Sequence, residues 1–149
     1  MTAAPPRGLD ERLRDTRARF DGDVDLWVAT SHPTDGVHLI PLSFLWDGAT
    51  FLLSTPYASV TARNLRGDGR VRLSLGATRD VVVVEGVAEV VEDLDAGVGD
   101  AFAARTGFDP RELDEPYQYF RIVPRRVQAW REANELRGRD LMRDGRWLG

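Results

Sequence analysis

Residues 36–56 read Gly-Val-His-Leu-Ile-Pro-Leu-Ser-Phe-Leu-Trp-Asp-Gly-Ala-Thr-Phe-Leu-Leu-Ser-Thr-Pro, and this stretch decides the fold. Two runs typical of β-strands, residues 37–46 and 49–55, flank the dipeptide Asp47-Gly48. Asp-Gly between two apolar runs is the strongest short signal of a β-hairpin, because both residues tolerate the positive φ of a tight turn. The stretch therefore predicts an antiparallel strand pair at the centre of a β-rich protein.

The sequence on either side of this hairpin predicts more short elements. Further strands are expected at 25–31, 70–77, 80–92 and 117–131, helices at 9–20, 59–66 and 94–106, and a final hairpin around Asp144-Gly145. Ser59 is predicted to cap the short helix, and Gly67 to end it in a left-handed conformation. Pro124 predicts an edge or a β-bulge in the last long strand. Gly86, in the middle of an apolar strand face, suits a tightly curved barrel wall.

The order of these elements predicts the fold class. Helix, strand, hairpin, helix, two strands, helix and strand give mostly antiparallel neighbours. This order favours a mostly β protein, a six- to seven-stranded antiparallel β-barrel with peripheral helices over its openings, and not a doubly wound sheet. No internal repeat and no long linker divides the chain. Residues 1–149 are therefore predicted to form one domain, with residues 1–8 as a disordered N-terminal tail.

Composition excludes several kinds of site. Of the 149 residues, 42% are hydrophobic, which is enough for a folded core, and 30% are charged. The absence of cysteine excludes disulfides, thiolate zinc sites and a cysteine nucleophile. With His32 and His38 as the two histidines, no metal site is expected. No apolar run suits a membrane span or a secretory signal, so we expect a cytoplasmic protein that does not bind membranes.

The basic residues, all of them arginine, cluster in two segments. Residues 63–79 carry five arginines against one acid, and residues 121–146 carry eight against four. Residues 80–115 between them carry eleven acids against two arginines. A chain with net charge −4 and two local basic segments suits a small anionic ligand. Nucleic acid is not an expected partner, because it requires a basic face over the whole domain.

Motifs of the common catalytic classes do not occur in the sequence. There is no Gly-x-Ser-x-Gly elbow, no Walker loop and no dinucleotide-binding glycine fingerprint. His38 within a strand is more typical of packing than of catalysis. Glu85 and Glu89 are typical of the solvated face of a strand. No residue is therefore predicted to be catalytic.

Residues 52–65, Leu-Leu-Ser-Thr-Pro-Tyr-Ala-Ser-Val-Thr-Ala-Arg-Asn-Leu, are the most informative for function. A strand ends at Ser54 and Thr55, proline forces a turn, and a short helix begins near Ser59. Hydroxyls at a strand end, free N–H groups at a helix start and Arg63 one turn later can together surround a phosphate. Taken alone, the same residues fit an ordinary capped helix with a solvent-facing arginine better.

Several short pieces occur in a characteristic order along the chain. They are residues 36–48, 51–56, Ala62-Arg-Asn-Leu65, 69–75, 84–90 and a late strand at 120–130. No single piece is diagnostic, but the ordered series resembles the pyridoxamine 5′-phosphate oxidase-like family, the flavin- and deazaflavin-binding split β-barrels. The resemblance covers roughly residues 25–148.

The resemblance implies an FMN-binding split barrel that forms a homodimer with cofactor sites at the subunit interface. The flavin phosphate would lie against residues 59–64 and the ring along the strand that contains residues 41–43. The implied cofactor-binding residues are Pro41, Leu42, Ser43, Ser54, Thr55, Ser59, Thr61, Arg63, Asn64, Arg79 and Trp130. Arg79 and Trp130 would reach the site from the partner subunit. Many relatives carry a lysine where this chain has Thr61, so Arg63 and Arg79 would neutralise the phosphate.

The implied function is that of an FMN-dependent oxidoreductase acting on a small molecule that the sequence does not identify. In such proteins the cofactor carries hydride or electrons and the protein supplies orientation. A reductase that uses the deazaflavin coenzyme F-420 is an alternative on the same fold. A non-catalytic flavin or haem carrier or sensor is an alternative from another class, and a barrel that has lost its cofactor is another. Fold alone does not decide among them.

Overall fold

The computed structural model describes residues 4–149 of the chain. The elements are α1 (Leu9–Gly22), β1 (Asp25–His32), β2 (Gly36–Trp46), β3 (Phe51–Pro56), α2 (Val60–Arg66), β4 (Arg70–Leu75), β5 (Val81–Val91), α3 (Ala96–Thr106), β6 (Tyr117–Trp130), β7 (Asp140–Arg143) and β8 (Arg146–Trp147). Two 3₁₀ turns, Pro110–Glu112 and Ala133–Glu135, flank β6 in sequence. No helix within residues 4–149 is long and apolar enough to cross a membrane.

The strands form one antiparallel sheet that closes on itself. Its order is β3-β2-β1-β4-β5-β6-β7-β8, and an additional pairing of β3 with β6 closes β1–β6 into a six-stranded barrel. The short strands β7 and β8 continue the sheet outside the barrel. The predicted mostly β class and the antiparallel split barrel are confirmed.

The hairpin that decides the fold forms as its sequence predicts. Leu45 pairs with Leu52 across β2 and β3, and Gly48 takes a φ of 96° in the connecting turn. The Asp47 carboxylate Oδ1 accepts hydrogen bonds from the backbone N–H groups of Ala49 and Thr50, at 2.9 and 2.6 Å. The turn is therefore fixed both by glycine's backbone freedom and by a side chain that binds its backbone.

A β-bulge bends the longest wall of the barrel. The register of β5 on β6 shifts between Glu85 and Gly86, and Gly86 lies opposite Pro124. A Cβ atom on Gly86 would stand 2.7 Å from Cγ2 of Ile122 and 2.9 Å from the carbonyl oxygen of Val123. Only glycine therefore allows β5 and β6 to approach this closely. The irregularity predicted from Pro124 is confirmed.

The helices cover the two openings and one outer wall of the barrel. Phe20 of α1 contacts Phe51 edge-on, with 4.8 Å between ring centroids, at the end of the barrel where β3 starts. Ala62 and Leu65 of α2 enter the same core where β3 ends. We call these openings the α1 end and the α2 end. A smaller core under α3 joins Leu52, Phe102 and Tyr119 on the outer side of the sheet.

The α1 end is held by a buried ionic network, defined here as Arg7, Arg12 and Glu135. The Glu135 carboxylate accepts hydrogen bonds from Nη2, Nε and the backbone N–H of Arg7, at 2.8, 3.0 and 2.9 Å. Arg12 Nη1 donates to the carbonyl oxygens of Ala129 and Glu135. The hydrogen bonds from Arg7 lower the pKa of Glu135 to about 2.

Two local predictions need correction. Gly67 ends α2 with a φ of −71°, so it is not left-handed; the positive φ lies two residues later, at Gly69. Gly67 instead donates its N–H to the carbonyl oxygens of Arg63 and Asn64, which already completes the helix end. The expected disordered tail is wrong for residues 4–8, because Arg7 is buried in the network at the α1 end. Residues 1–3 of that tail lie outside the described residues.

Candidate functional site

Hydroxyl groups meet at the α2 end of the barrel. Thr55, near the end of β3, places its Oγ1 3.3 Å from the Oγ of Ser59. Ser59 Oγ also accepts a hydrogen bond from the backbone N–H of Ala62 at 3.0 Å, which makes Ser59 the N-cap of α2 as predicted. The end of β3 and the start of α2 are thus tied together by side chains that the sequence singled out.

A second chain of hydrogen bonds runs from the barrel interior to the surface. Asn64 Nδ2 donates to Thr30 Oγ1 at 3.1 Å, and Asn64 Oδ1 accepts from Nε and Nη2 of Arg63 at 3.2 and 3.1 Å. Arg63 Nη1 donates to Oδ2 of Asp35 in the β1–β2 turn at 2.9 Å. We call Thr30, Asp35, Thr55, Ser59, Arg63 and Asn64 the α2 cluster. Sequence reasoning missed Thr30 and Asp35, which lie about thirty residues earlier in the chain.

Two of the site residues predicted on β3 and α2, Ser54 and Thr61, lie outside this cluster. Ser54 points to the opposite face of β3 from Thr55, because side chains alternate along a strand, and it stands opposite Tyr119. Thr61 is on the buried face of α2, and not at the surface where a phosphate would lie. Within residues 4–149 the hydroxyls of both Ser54 and Thr61 are buried without a hydrogen-bond partner. The contact of Thr61 with a phosphate stays a prediction, and its hydroxyl is not at the surface of this chain.

The three predicted ring contacts on β2 also divide between two faces. Pro41 pairs with the exposed Trp27 on the outer face, and Ser43 donates a hydrogen bond from Oγ to Asp25 Oδ1 at 2.6 Å there. Leu42 packs against the barrel core instead. A ring on the outer face of β2 could therefore contact the side chains of Pro41 and Ser43, whereas the side chain of Leu42 faces the core.

An open groove of about 510 Å³ crosses the outer face of β1, β4 and β5. Its lining includes Thr30, Ser31, Val37, Arg72, Glu85 and Arg125. It shares Thr30 with the α2 cluster and extends to Gly86 of β5, opposite the bulge in β6. Arg72 and Glu85 form an ion pair of 2.7 Å across the groove floor. Thr30 therefore connects the groove with the α2 cluster, and the two together are the candidate surface.

Arg79 and Trp130 do not join this surface within one chain. Arg79 pairs with Glu132 at 2.7 Å, and Trp130 stands opposite Val81 at the last residue of β6. Gln118, which accepts a hydrogen bond from Arg66 of α2, lies twelve residues earlier on the same strand. At ~3.3 Å per residue, Trp130 is roughly 40 Å along β6 from the α2 end. Any contribution of these two residues would have to come from a second subunit.

The charged groups of the described chain do not assemble a metal centre. Among residues 4–149, no three His, Asp or Glu side chains are grouped in a way that could hold a metal ion. His32, next to the α2 cluster, uses Nδ1 to accept hydrogen bonds from the backbone N–H groups of Thr34 and Asp35, at 3.1 and 3.2 Å. Its role is therefore to shape the β1–β2 turn.

Solved structures with the same fold bind different groups. An FAD-binding protein from Mesorhizobium loti is 20% identical over 77% of this chain and 88% of that one, with a TM-score of 0.63. The haem storage protein HutZ from Vibrio cholerae is 18% identical over 79% and 94%, with a TM-score of 0.61. An F-420 reductase is 17% identical over 82% and 97%, with a TM-score of 0.59. At these identities the likeness shows the fold alone.

Sequence comparison identifies the family. A search of curated proteins finds no significant match. A family model described as pyridoxamine 5′-phosphate oxidase matches residues 17–131, which is well over half of the chain. That range includes the closed barrel and the α2 cluster. The chain therefore belongs to the pyridoxamine 5′-phosphate oxidase-like family of split β-barrels.

Proposed function

We propose that this protein is a flavin-dependent oxidoreductase that binds FMN between the α2 cluster and the outer face of β2. The observation that carries the proposal is Arg63, a half-exposed guanidinium held by Asn64, which in turn binds Thr30 in the lining of the groove. A cation fixed beside a ligand-sized groove is what an anionic cofactor requires. The FAD-binding structural relative supports the choice of a flavin.

The residues of the α2 cluster fit a flavin phosphate. A guanidinium carries five N–H donors, so Arg63 retains donors beyond those that bind Asn64 and Asp35. Ser59, partly exposed beside it, offers a hydroxyl. The neutral Thr61 adds no charge, and within the cluster Arg63 supplies the positive charge. Charge-assisted hydrogen bonds from arginine to phosphate are about twice as strong as neutral ones.

The chain's own residues would bind and orient, and the flavin when bound supplies the hydride or electron transfer. Pro41 and Ser43 present an outer-face platform on β2, and Asp25 fixes the Ser43 hydroxyl. The groove beyond the platform leaves room for a small-molecule substrate. We place this chemistry in the cytoplasm, as the sequence predicts.

A homodimer is part of the proposal. Trp27, Val37 and Leu39 are exposed on one outer face of β1 and β2, next to the groove. Contiguous exposed apolar side chains mark interaction surfaces. A second copy packed there would cover the groove and exclude water from the flavin. Light scattering should give a dimer mass, and Leu39→Asp should give a monomer that binds FMN more weakly; a wild-type monomer would contradict the dimer.

The deazaflavin coenzyme F-420 is the second candidate cofactor. The low positive charge of the cluster supports it at the phosphate, because the phosphodiester of F-420 carries one negative charge where the FMN monoester carries up to two, and Asp35 already offsets Arg63. The F-420 reductase among the structural relatives shows that the fold accommodates such a protein. A carrier of flavin or haem on the same barrel, as the haem storage relative suggests, is the non-catalytic alternative.

Titration of the purified protein separates these functions. FMN, coenzyme F-420 and haem are added in turn, and binding is followed by the visible spectrum. Bound flavin gives two absorption bands, deazaflavin one and haem a sharp Soret band. We expect FMN to bind most tightly. Failure of FMN and F-420 to bind would refute the oxidoreductase proposal.

A further inference from the structure

The turn between β1 and β2 places a carboxylate on the cation of the α2 cluster. Oδ2 of Asp35 lies 2.9 Å from Nη1 of Arg63. The side chains of Asp35 and Arg63 are 57% and 43% exposed, so water and small ions reach both. An ion pair this exposed is worth at most about 1 kcal/mol, and a stronger ligand can exchange with it.

The position of Asp35 does not depend on Arg63 alone. Nδ1 of His32 accepts the backbone N–H of Asp35 at 3.2 Å and that of Thr34 at 3.1 Å. Gly36, with a φ of 81°, completes the turn in a conformation that few other residues adopt. The turn therefore presents the Asp35 carboxylate to Arg63 as a fixed feature of the fold.

The other edge of the guanidinium is already occupied. Nε and Nη2 of Arg63 both donate to Oδ1 of Asn64, and Asn64 is itself fixed through Thr30 in the barrel. The Nη1 edge is thus the side on which an incoming anion would meet Arg63. An anion that arrives there meets the Asp35 carboxylate as a like charge at close range.

We propose that Asp35 acts as an internal counter-anion that sets the affinity and charge selectivity of this site. An incoming phosphate replaces Asp35 on Nη1 of Arg63, so Arg63 stays paired throughout and Asp35 turns to water. Repulsion by Asp35 grows with the ligand's charge, so it weakens a dianionic phosphate monoester more than a neutral flavin. The inference rests on the proposed flavin site and adds the residue that determines which charge this site accepts.

The test is the variant Asp35→Asn with two probes, FMN and riboflavin, which differ by the phosphate. Binding is measured by quenching of flavin fluorescence. FMN should bind about three- to tenfold more tightly to Asp35→Asn than to the wild type, and this gain should shrink in high salt. Riboflavin affinity should stay unchanged, because riboflavin carries no anion. Asp35→Ser should behave like Asp35→Asn.

Asp100→Asn is the matched control. Asp100 is an exposed carboxylate of α3 that pairs with Arg111 at 2.8 Å, so the variant makes the same change in net charge. It should leave FMN affinity unchanged. In the background Arg63→Ala, the gain from Asp35→Asn should disappear, because the exchange occurs on Arg63.

The inference is overturned if Asp35→Asn leaves FMN affinity unchanged, if it tightens riboflavin as much as FMN, or if Asp100→Asn has the same effect. Persistence of the gain without Arg63 also overturns it. In each of these cases the wild type still binds FMN and the proposed function stands. Failure of every variant and of the wild type to bind FMN overturns both the proposed flavin site and this inference.

Discussion

The two ends of the barrel each hold an arginine against a carboxylate, but in opposite surroundings. At the α1 end the side chains of Arg7 and Glu135 are 4% and 3% exposed. At the α2 end Arg63 and Asp35 form a pair of similar length that stands in solvent. The same two chemical groups thus meet once in the interior and once at the surface.

Burial separates the pair that stabilises the fold from the pair that is available to a ligand. Burial of a charge is costly unless hydrogen bonds replace the lost water, and Glu135 accepts bonds from both Arg7 and the backbone N–H of Arg131. Asp35 needs no such replacement, since water reaches it. We therefore expect a separation of roles, in which the α1 end governs stability and the α2 end governs binding.

The largest expected effect is on stability at the α1 end. Glu135→Gln removes the buried charge that pairs with Arg7 and leaves its guanidinium with the partly exposed Asp15, at 3.0 Å, and the more distant Asp80 as counter-ions. We expect the free energy of unfolding to fall by about 3–5 kcal/mol. Urea unfolding measures it, with Glu132→Gln as the control, because Glu132 pairs with Arg79 at the surface. A loss below 1 kcal/mol for Glu135→Gln, or an equal loss for Glu132→Gln, would contradict the separation.

Acid should act on the same end of the barrel. The hydrogen bonds from Arg7 lower the pKa of Glu135 from 4.5 to about 2. A carboxyl whose pKa is lower in the folded state stabilises the fold above its unfolded pKa, and this contribution is lost as the pH falls towards the folded value. A pKa shift of one unit corresponds to ~1.4 kcal/mol. We therefore expect the free energy of unfolding to fall by about 3 kcal/mol between pH 5 and pH 2. Urea unfolding as a function of pH should show this slope in the wild type and a flatter one in Glu135→Gln; equal slopes would exclude Glu135 as its source.

Local signals in the sequence predicted most of the barrel. Asp47-Gly48 and Asp144-Gly145 predicted two hairpins, and the structure places Asp144 and Gly145 at φ 51° and 77° in the second. Pro124 predicted the bulge. Each of these features depends on residues next to one another in the chain, for which propensity is informative.

The candidate site was predicted less well, for two physical reasons. Asp35 meets Arg63 because α2 packs beside the β1–β2 turn, and no local pattern joins residues that far apart. The strand face on which each side chain lies could have been predicted. Side chains alternate along a strand, so Ser54 and Thr55 lie on opposite faces of β3, and Leu42 and Pro41 on opposite faces of β2. Alternation was a usable signal in the sequence, whereas the family resemblance identifies segments and not the directions of their side chains.

At the α2 end, Arg63→Ala should change binding strongly and stability little, the opposite of what Glu135→Gln should do at the α1 end. Loss of the guanidinium should weaken FMN binding about tenfold, since charge-assisted hydrogen bonds are worth roughly 1.5–3 kcal/mol and Asp35 offsets part of the charge. The free energy of unfolding should change by less than about 1 kcal/mol, because the pair with Asp35 is exposed. Fluorescence titration and urea unfolding measure the two effects. Arg14→Ala, at an exposed position on α1, is the control and should change neither; unchanged FMN affinity in Arg63→Ala would remove Arg63 from the site.

The smallest expected effect concerns Ser59, which caps α2 and also belongs to the α2 cluster. Ser59→Ala removes the acceptor for the backbone N–H of Ala62 and should cost about 1 kcal/mol of unfolding free energy. Ser59→Asp keeps an equally good capping oxygen, so stability should stay near that of the wild type. The added carboxylate, however, lies where the phosphate of FMN would bind, and should weaken FMN severalfold while leaving riboflavin unaffected. If Ser59→Asp binds FMN as well as the wild type does, the phosphate does not lie at the start of α2. The α2 end would then not be the binding end of the barrel.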